Sequence, residues 1–318
     1  MSGINAHAGL LFAGAGGGGG VTPLLDVYGS AAGAYSTRKL RTSYAGACLR
    51  VVTSASGNAE TDIGFDANGN LDEAALAAAI GSNTGTVKTW YDQSGNGIDV
   101  TQATISSQPI IVNAGTIQKN NGRVTMFFDG ANDGLASAFS VTSIGSSRQA
   151  CISSVHKSAN TTGTGNGIVV THRSGGYDFQ SGVMFERRGS TLSFSRGSGT
   201  TGAFNAANYQ GFTTPNTNIT ALTIGQTFVD GVGGTQSLYI DGASGTLTSY
   251  GGTLATTGFM STGSGSHRVI LGCRNNNQTN TLSDFWQGSI NEAVIWGSDQ
   301  SANQSGIKSN QASYHGTP

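Results

Sequence analysis

Glycine sets the tightest limits on this chain, because it occupies 50 of the 318 positions and brings no side chain to pack. Charged residues are rare as well: they make up 10% of the sequence, against about 25% in an ordinary soluble domain. The 16 basic and 17 acidic residues nearly cancel. This composition excludes a coiled coil, which needs abundant Glu, Lys and Leu. It also argues against an electrostatic nucleic-acid binder, which needs clustered Lys and Arg.

The chain is still predicted to fold, mainly as strands. It contains 13 Phe, 9 Tyr and 3 Trp, whereas disordered chains are poor in aromatic residues. No window reaches the roughly 18 consecutive apolar residues of a membrane span, so membrane insertion is not expected. Short apolar runs separated by glycine-containing turns predict an antiparallel sandwich. These runs cover residues 49–52, 124–128, 168–170, 238–240, 269–271 and 293–296.

One short helix is predicted over residues 71–80. Asn70 is the expected N-cap, Glu73 completes a pattern that resembles a capping box, and Gly81 is the expected stop signal. The helix is rich in alanine, so we expect it to pack on a sheet.

The first 22 residues predict a flexible arm, followed by a single sandwich domain over residues 23–318. Five consecutive glycines at 16–20 favour flexibility. Leu10, Leu11 and Phe12 are interpreted as apolar contacts that dock the arm on a larger particle; the alternative is a disordered terminus. No basic residue precedes this apolar stretch, which predicts that the chain is not exported through a signal peptide.

Cysteine and histidine show no metal-ligand spacing. The three cysteines, Cys48, Cys151 and Cys273, are predicted to be buried and unpaired. Asp129 and Asp133 are interpreted as turn formers. Oxygen-rich loops can bind Ca²⁺, but no motif supports such a site, and no cofactor is predicted.

Two segments carry family resemblances. Residues 34–51, 59–81 and 87–102, with the string WYDQSGNG, resemble the N-terminal part of the fungal-type α-L-arabinofuranosidase B catalytic domain. The same block is similar to modules of phage tail and capsid-associated proteins. Residues 237–245, 267–277 and 285–301 are similar to the last strands of laminin-G-like domains. Both resemblances imply an all-β, concanavalin A-like jelly-roll sandwich with a concave face.

The enzyme resemblance does not extend to catalytic residues. A retaining glycosidase needs two carboxyl groups about 5 Å apart. The nearest match to the family's nucleophile context is Glu186, but Phe185 separates it from Met184, and the family's adjacent cysteine pair is missing here. Glu292 is expected to face the same side as Ile290 and its apolar neighbours, and to pair with an arginine or mark the concave face. Catalysis is therefore not predicted; an active chain would be a retaining glycoside hydrolase.

The WYDQSGNG block has two interpretations. In the first, Asp92 caps backbone amides and holds a loop beside the sheet. In the second, the block binds carbohydrate: Trp90 or Tyr91 stacks on a sugar ring while Asp92, Gln93 and Asn96 hydrogen-bond its hydroxyls.

Together these features favour a phage or phage-like virion protein, displayed on the head or tail and binding host-surface glycans. It would assemble in the host cytoplasm, contact other virion proteins through its arm, and form a homo-oligomer that multiplies weak sugar affinity. A glycoside hydrolase and a ligand-free capsid cement protein are the alternatives.

Overall fold

The computed structural model shows antiparallel strands throughout the described part of the chain. It describes residues 20–138, 149–159, 164–173, 183–188, 191–196, 210–213, 221–230, 235–249, 267–275 and 281–318. The predicted docking contacts Leu10, Leu11 and Phe12 lie outside these residues. No helix among them is long and apolar enough to cross a membrane.

The strands occur where the short apolar runs predicted them, with further short strands between. Their bounds are β1 Ala31–Ser36, β2 Leu49–Thr53, β3 Glu60–Ile63, β4 Gly85–Trp90, β5 Val100–Thr101, β6 Ile110–Asn113, β7 Thr116–Ile117, β8 Lys119–Asn120, β9 Arg123–Val124, β10 Met126–Asp129, β11 Leu135–Ala136, β12 Gln149–Ser158, β13 Thr164–Arg173, β14 Val183–Arg188, β15 Thr191–Arg196, β16 Gln210–Thr213, β17 Thr223–Asp230, β18 Thr235–Ile240, β19 Ala243–Ser244, β20 Thr246–Ser249, β21 His267–Leu271 and β22 Gln287–Trp296. The α-helices of the described residues are α1 Leu24–Val27, α2 Glu73–Ile80 and α3 Gln304–His315.

The strand pairings trace two layers. The front layer runs β19–β18–β17–β12–β22, and the far edge of β22 pairs with both β10 and β1. The back layer runs β3–β2–β4–β5–β11–β21–β13–β14–β15–β16–β20. Strand β6 joins the layers because it pairs with β4 of the back layer and β10 of the front layer. The predicted two-layer sandwich is confirmed.

The main hydrophobic core lies between the two layers. Ile152 and Ile295 of the front layer share one buried cluster with Val87 and Val269 of the back layer. Trp90 belongs to the same cluster and is fully buried. Burying one such apolar side chain stabilises the fold by about 1.5–3 kcal/mol, so this interface holds the layers together.

A second cluster covers the outer face of the front layer. Val294 and Trp296 of β22 pack there against Leu24 of α1 and Ile307 of α3. Helix α3 was not predicted from the sequence, and it covers the outer face of the front layer. Gly306 allows this approach, because a Cβ at that position would lie 2.0 Å from the hydroxyl of Tyr28.

Helix α2 begins two residues later than predicted. Its N-cap is Asp72, whose Oδ1 accepts a hydrogen bond from the Ala75 amide at 2.9 Å. Asn70, the predicted cap, instead forms an isolated β-bridge with Arg38, which holds it in extended backbone. Gly81 is the C-cap, as predicted. The three cysteines are buried and free, which confirms their predicted state.

Candidate functional site

Asp92 of the WYDQSGNG block is buried and organises the loop around it. Its Oδ1 accepts hydrogen bonds from the amides of Ala34 (2.9 Å) and Ser94 (2.8 Å), and its Oδ2 accepts from the amide of Ile98 (3.1 Å). A carboxylate that satisfies three otherwise buried amides ties the loop to β1. This is the capping role that the first interpretation of the block describes.

Gln93 and Asn96 also bond to backbone groups. Gln93 Oε1 accepts from the Leu40 amide at 2.8 Å, and its Nε2 donates to the carbonyl of Ser36 at 3.0 Å. Asn96 Nδ2 donates to the carbonyl of Ala31 at 2.9 Å. Gln93 is fully buried, whereas Asn96 remains exposed. These amides therefore fasten the block to β1 and the segment after it.

The two aromatic residues of the block differ in accessibility. Trp90 lies in the core with its ring centroid 6.0 Å from that of Tyr35, so neither ring face is open to a ligand. Tyr91 is partly exposed, and its hydroxyl donates to Asp62 at 2.8 Å. Burial, and then the Asp62 carboxylate, raise the pKa of Tyr91 to about 12. Carbohydrate binding by this block stays a prediction, with Tyr91 and Asn96 as its accessible members.

Glu292 lies at the centre of a fully buried ionic cluster under α3. Its Oε2 is 2.8 Å from Nε of Arg38, and its Oε1 accepts from Nη2 of Arg38 at 3.0 Å. Gln311 and His315 of α3 reach the same carboxylate at 3.0 and 3.2 Å, and Ser36 donates to it at 2.9 Å. The prediction that Glu292 pairs with an arginine is confirmed.

The side of the sheet on which Glu292 lies follows from a bulge. Glu292 shares the outer face with Val294 and Trp296, but Ile290 points into the core between the layers. The predicted common face with Ile290 is therefore wrong. The pairing with β12 shifts register between Val155 and His156, and this inserts one residue into the alternation.

Glu186, the nearest sequence match to a glycosidase nucleophile, is fully buried in β14. Its Oε2 accepts a hydrogen bond from Nη1 of Arg274 at 2.7 Å, and Arg274 is itself 3% exposed. A carboxylate held in this way is enclosed by protein. The ion pair explains how a carboxylate is tolerated at a fully buried position of β14.

The loop after β10 is a plain turn, as predicted. Asp129 Oδ1 accepts from the amides of Ala131 (2.8 Å) and Asn132 (3.1 Å), and the Asp129 amide donates to Asp133 Oδ2 at 2.9 Å. Burial raises the pKa of Asp133 to about 7, and the nearby Asp129 charge acts in the same direction. Among the described residues, no group of three or more metal-ligating side chains is present.

A polar groove opens where α3, the β8–β9 hairpin and the loop before α2 meet. It consists of two adjoining pockets of about 280 and 760 Å³ that share Asn70, Arg123 and Tyr314. Pockets for small molecules measure about 300–1,000 Å³, so the groove is large enough for one or more sugar rings. The groove was not predicted from the sequence, because its walls come from segments far apart in the chain.

Tyr314 forms the aromatic wall of the groove and is held by three polar neighbours. The guanidinium groups of Arg38 and Arg123 lie 4.8 and 4.2 Å from its ring centroid. Its hydroxyl donates to Asn70 Oδ1 at 2.8 Å, and Arg123 donates to the same oxygen at 3.1 Å. Burial is the main cause that raises the pKa of Tyr314, to about 12. The Tyr314 hydroxyl is therefore uncharged at neutral pH.

The fold places the chain in a structural class, the all-β concanavalin A-like jelly-roll sandwiches. One similar solved structure is an arabinofuranosidase complexed with arabinofuranosyl-α-1,2-xylobiose, with a TM-score of 0.58 and 15% sequence identity. Another is a GH54 α-L-arabinofuranosidase soaked with a cyclic sulfate inhibitor, with a TM-score of 0.54 and 14% identity.

Each alignment covers 88% of this chain and 62% of the enzyme, so the chain spans about three-fifths of the length of either enzyme. At these identities the likeness shows the fold alone. No protein family and no curated protein matches the sequence itself.

Proposed function

We propose that this chain is a carbohydrate-binding protein whose ligand site is the polar groove. The observation that carries the proposal is the meeting, in one open cleft, of carboxylate acceptors such as Asp66 with the guanidinium donor of Arg123, beside the side chain of Tyr314. Sugar hydroxyls both donate and accept hydrogen bonds, so a polar cleft that offers both kinds of partner suits them. The likeness to arabinofuranosidases supplies a fold that accommodates sugars in other proteins.

The proposal is tested by blocking the groove without disturbing the core. Ser313 is exposed on α3 and lines the larger pocket, so Ser313→Trp fills the cleft. Ser309→Trp is the matched control, because Ser309 is exposed one turn earlier on the same helix and is not part of either pocket wall. We expect glycan-array signals that Ser313→Trp abolishes and Ser309→Trp preserves. An array without signals, or signals that survive Ser313→Trp, would contradict the proposal.

The finer proposal is that the chain is displayed on a phage or phage-like particle and attaches it to host glycans. Its support comes from the sequence: the glycine-rich arm over residues 1–22, the neutral polar composition, and the resemblance of the WYDQSGNG block to phage modules. The similar solved structures add no support for this placement. Deletion of residues 1–20 tests the arm, and we expect the truncated chain to be lost from purified particles while its sandwich stays folded. Undiminished incorporation would exclude docking through the arm.

Glycoside hydrolysis is the second candidate, favoured by the shared fold with arabinofuranosidases. The enclosed Glu186–Arg274 pair weighs against Glu186 as a nucleophile, since a nucleophile must reach the sugar. The test is release of 4-nitrophenol from 4-nitrophenyl α-L-arabinofuranoside. Turnover by the wild-type chain that Glu186→Gln abolishes would establish the enzyme.

A further inference from the structure

The larger pocket of the groove carries an excess of positive charge. Its charged wall residues are Arg38, Lys39, Arg123 and Asp26. Both carboxylate oxygens of Asp26 accept hydrogen bonds from the amide of Thr42, another residue of the pocket wall, at 3.1 and 3.2 Å, so one acid offsets part of the charge of three basic residues. We call this end of the groove the basic pocket.

The basic residues of this pocket differ in what holds their charge. Among the described residues, Lys39 has no carboxylate within ion-pair distance. Arg38 directs Nε and Nη2 to Glu292, but its buried Nη1 has no acceptor within the described part of the chain. Because this atom is closed to solvent, the basic groups that a ligand can reach in this pocket are Lys39 and Arg123, which are both partly exposed.

The smaller pocket has the opposite character. Asp66, Asp72 and Glu73 line it together with Arg123, which both pockets share, and Glu73 is paired with Lys119; because acids outnumber the one basic wall residue, we call it the acidic pocket. Asp66 accepts from the amides of Asn68 and Asn70, both at 2.9 Å, and these bonds fix its carboxylate at the wall. Fixed carboxylates accept hydrogen bonds well from neutral hydroxyls but repel anions. A ligand that spans the groove therefore has its anionic group at one end and its hydroxyls at the other.

We propose that the groove takes an acidic saccharide, a chain of sugars that carry ring carboxylates. The carboxylate lies in the basic pocket, where Lys39 and Arg123 supply positive charge, and a neighbouring sugar presents its hydroxyls to Asp66 in the acidic pocket. Charge-assisted hydrogen bonds of this kind are about twice as strong as neutral ones, so they select the acid over its neutral ester. This inference rests on the proposed carbohydrate-binding function and names its ligand class.

The test compares each acidic oligosaccharide with its own methyl ester, which differs only in charge. Trimers of galacturonate, glucuronate and mannuronate and their esters are titrated calorimetrically at about 50 mM salt, where exposed charges are weakly screened. We expect at least one acid to bind about tenfold more tightly than its ester. Lys39→Gln should reduce this preference to about threefold or less. Lys88→Gln is the matched control, since Lys88 pairs with Glu60 on the back layer away from the groove, and it should leave the preference unchanged.

The outcomes separate the two proposals. Equal or tighter binding of the esters, with binding blocked by Ser313→Trp, would overturn the acidic ligand class and keep the carbohydrate site. If no trimer binds while the array signals remain sensitive to Ser313→Trp, the acidic ligand class is likewise overturned and the carbohydrate site is kept. Inorganic phosphate that displaces the acids as effectively as they displace one another would reduce the site to a general anion site and overturn the inference. If the wild-type chain binds no saccharide, either on the array or in calorimetry, the proposed carbohydrate-binding function itself is overturned.

Discussion

Replacing Glu292 by glutamine tests whether α3 is held by charge as well as by packing. The substitution keeps the shape of the side chain but removes the negative charge that Arg38 meets through two hydrogen bonds of 2.8 and 3.0 Å. Arg38 is 3% exposed, so its charge stays buried without a counter-ion. Removing one partner of a buried pair costs about 3–5 kcal/mol, mainly through the uncompensated charge that is left.

The expected loss is measured against an exposed glutamate. Glu60→Gln removes the partner of Lys88, and both side chains are about a third or more exposed (40% and 34%). Exposed pairs contribute about 0–1 kcal/mol, so this control should change stability little. In thermal unfolding, Glu292→Gln should lower Tm by roughly 10 °C, at about 2–4 °C per kcal/mol. Equal Tm values for the two variants would refute the view that the cluster anchors α3.

The same variant has a defined pH dependence. Burial raises the pKa of Glu292, but the charge of Arg38 and the hydrogen bonds from His315 and Arg38 outweigh burial and hold the pKa well below its usual range. A carboxyl group with a depressed folded-state pKa stabilises the fold above its unfolded pKa of about 4.3, and that stability is lost as the pH falls. The wild-type advantage over Glu292→Gln should therefore be complete at pH 6 and shrink below about pH 4. An advantage that grows in acid would contradict this assignment.

Three further predictions concern other buried groups. Burial lowers the pKa of His156 to about 3, so the folded state should lose about 1.4 kcal/mol per pH unit below about 6.5, and His156→Phe should remove that part of the pH dependence in urea unfolding. Asp92→Ala should lower stability by about 3 kcal/mol or more, since three amides lose their acceptor; an unchanged Tm together with lost glycan binding would instead favour the binding interpretation of its block. Gly272→Ala should abolish soluble expression, because its Cβ would lie 2.2 Å from the Phe128 ring, whereas Gly57→Ala has open space and should cost only about 1–2 kcal/mol of backbone strain, as circular dichroism melts would show.

The strands were predictable because their signal is local. An apolar run such as that of β21 is bounded by turn residues within the same few positions, and the sheet needs little more to define it. The start of α2 was less predictable, since Asn70 and Asp72 are both good capping residues. The bridge between Asn70 and Arg38, which decides between them, joins positions far apart in the chain.

Helix α3 shows what a local pattern cannot contain. Its buried positions are Ile307, Gln311 and His315, spaced by four residues along one face. Two of the three are polar, so no apolar stripe marks the helix. Gln311 and His315 are buried because both hydrogen-bond to Glu292. The sequence does not show that a buried carboxylate lies beneath this helix. The groove was missed for the same reason, since Asn70, Arg123 and Tyr314 meet only after α3 has docked.

The position of β22 has a consequence for how the molecule is made. Residues 287–296 form the spine of the front layer, and Ala31 pairs with Trp296 across nearly the whole sequence. During synthesis, the edges of β1, β10 and β12 that pair with β22 stay unpaired until residues 287–296 have left the ribosome. Pairing between strands far apart in the chain is slow, and the intermediates that precede it are prone to aggregate. The later residues 287–296 are synthesised relative to β1, β10 and β12, the more the chain should depend on chaperones and accumulate in inclusion bodies.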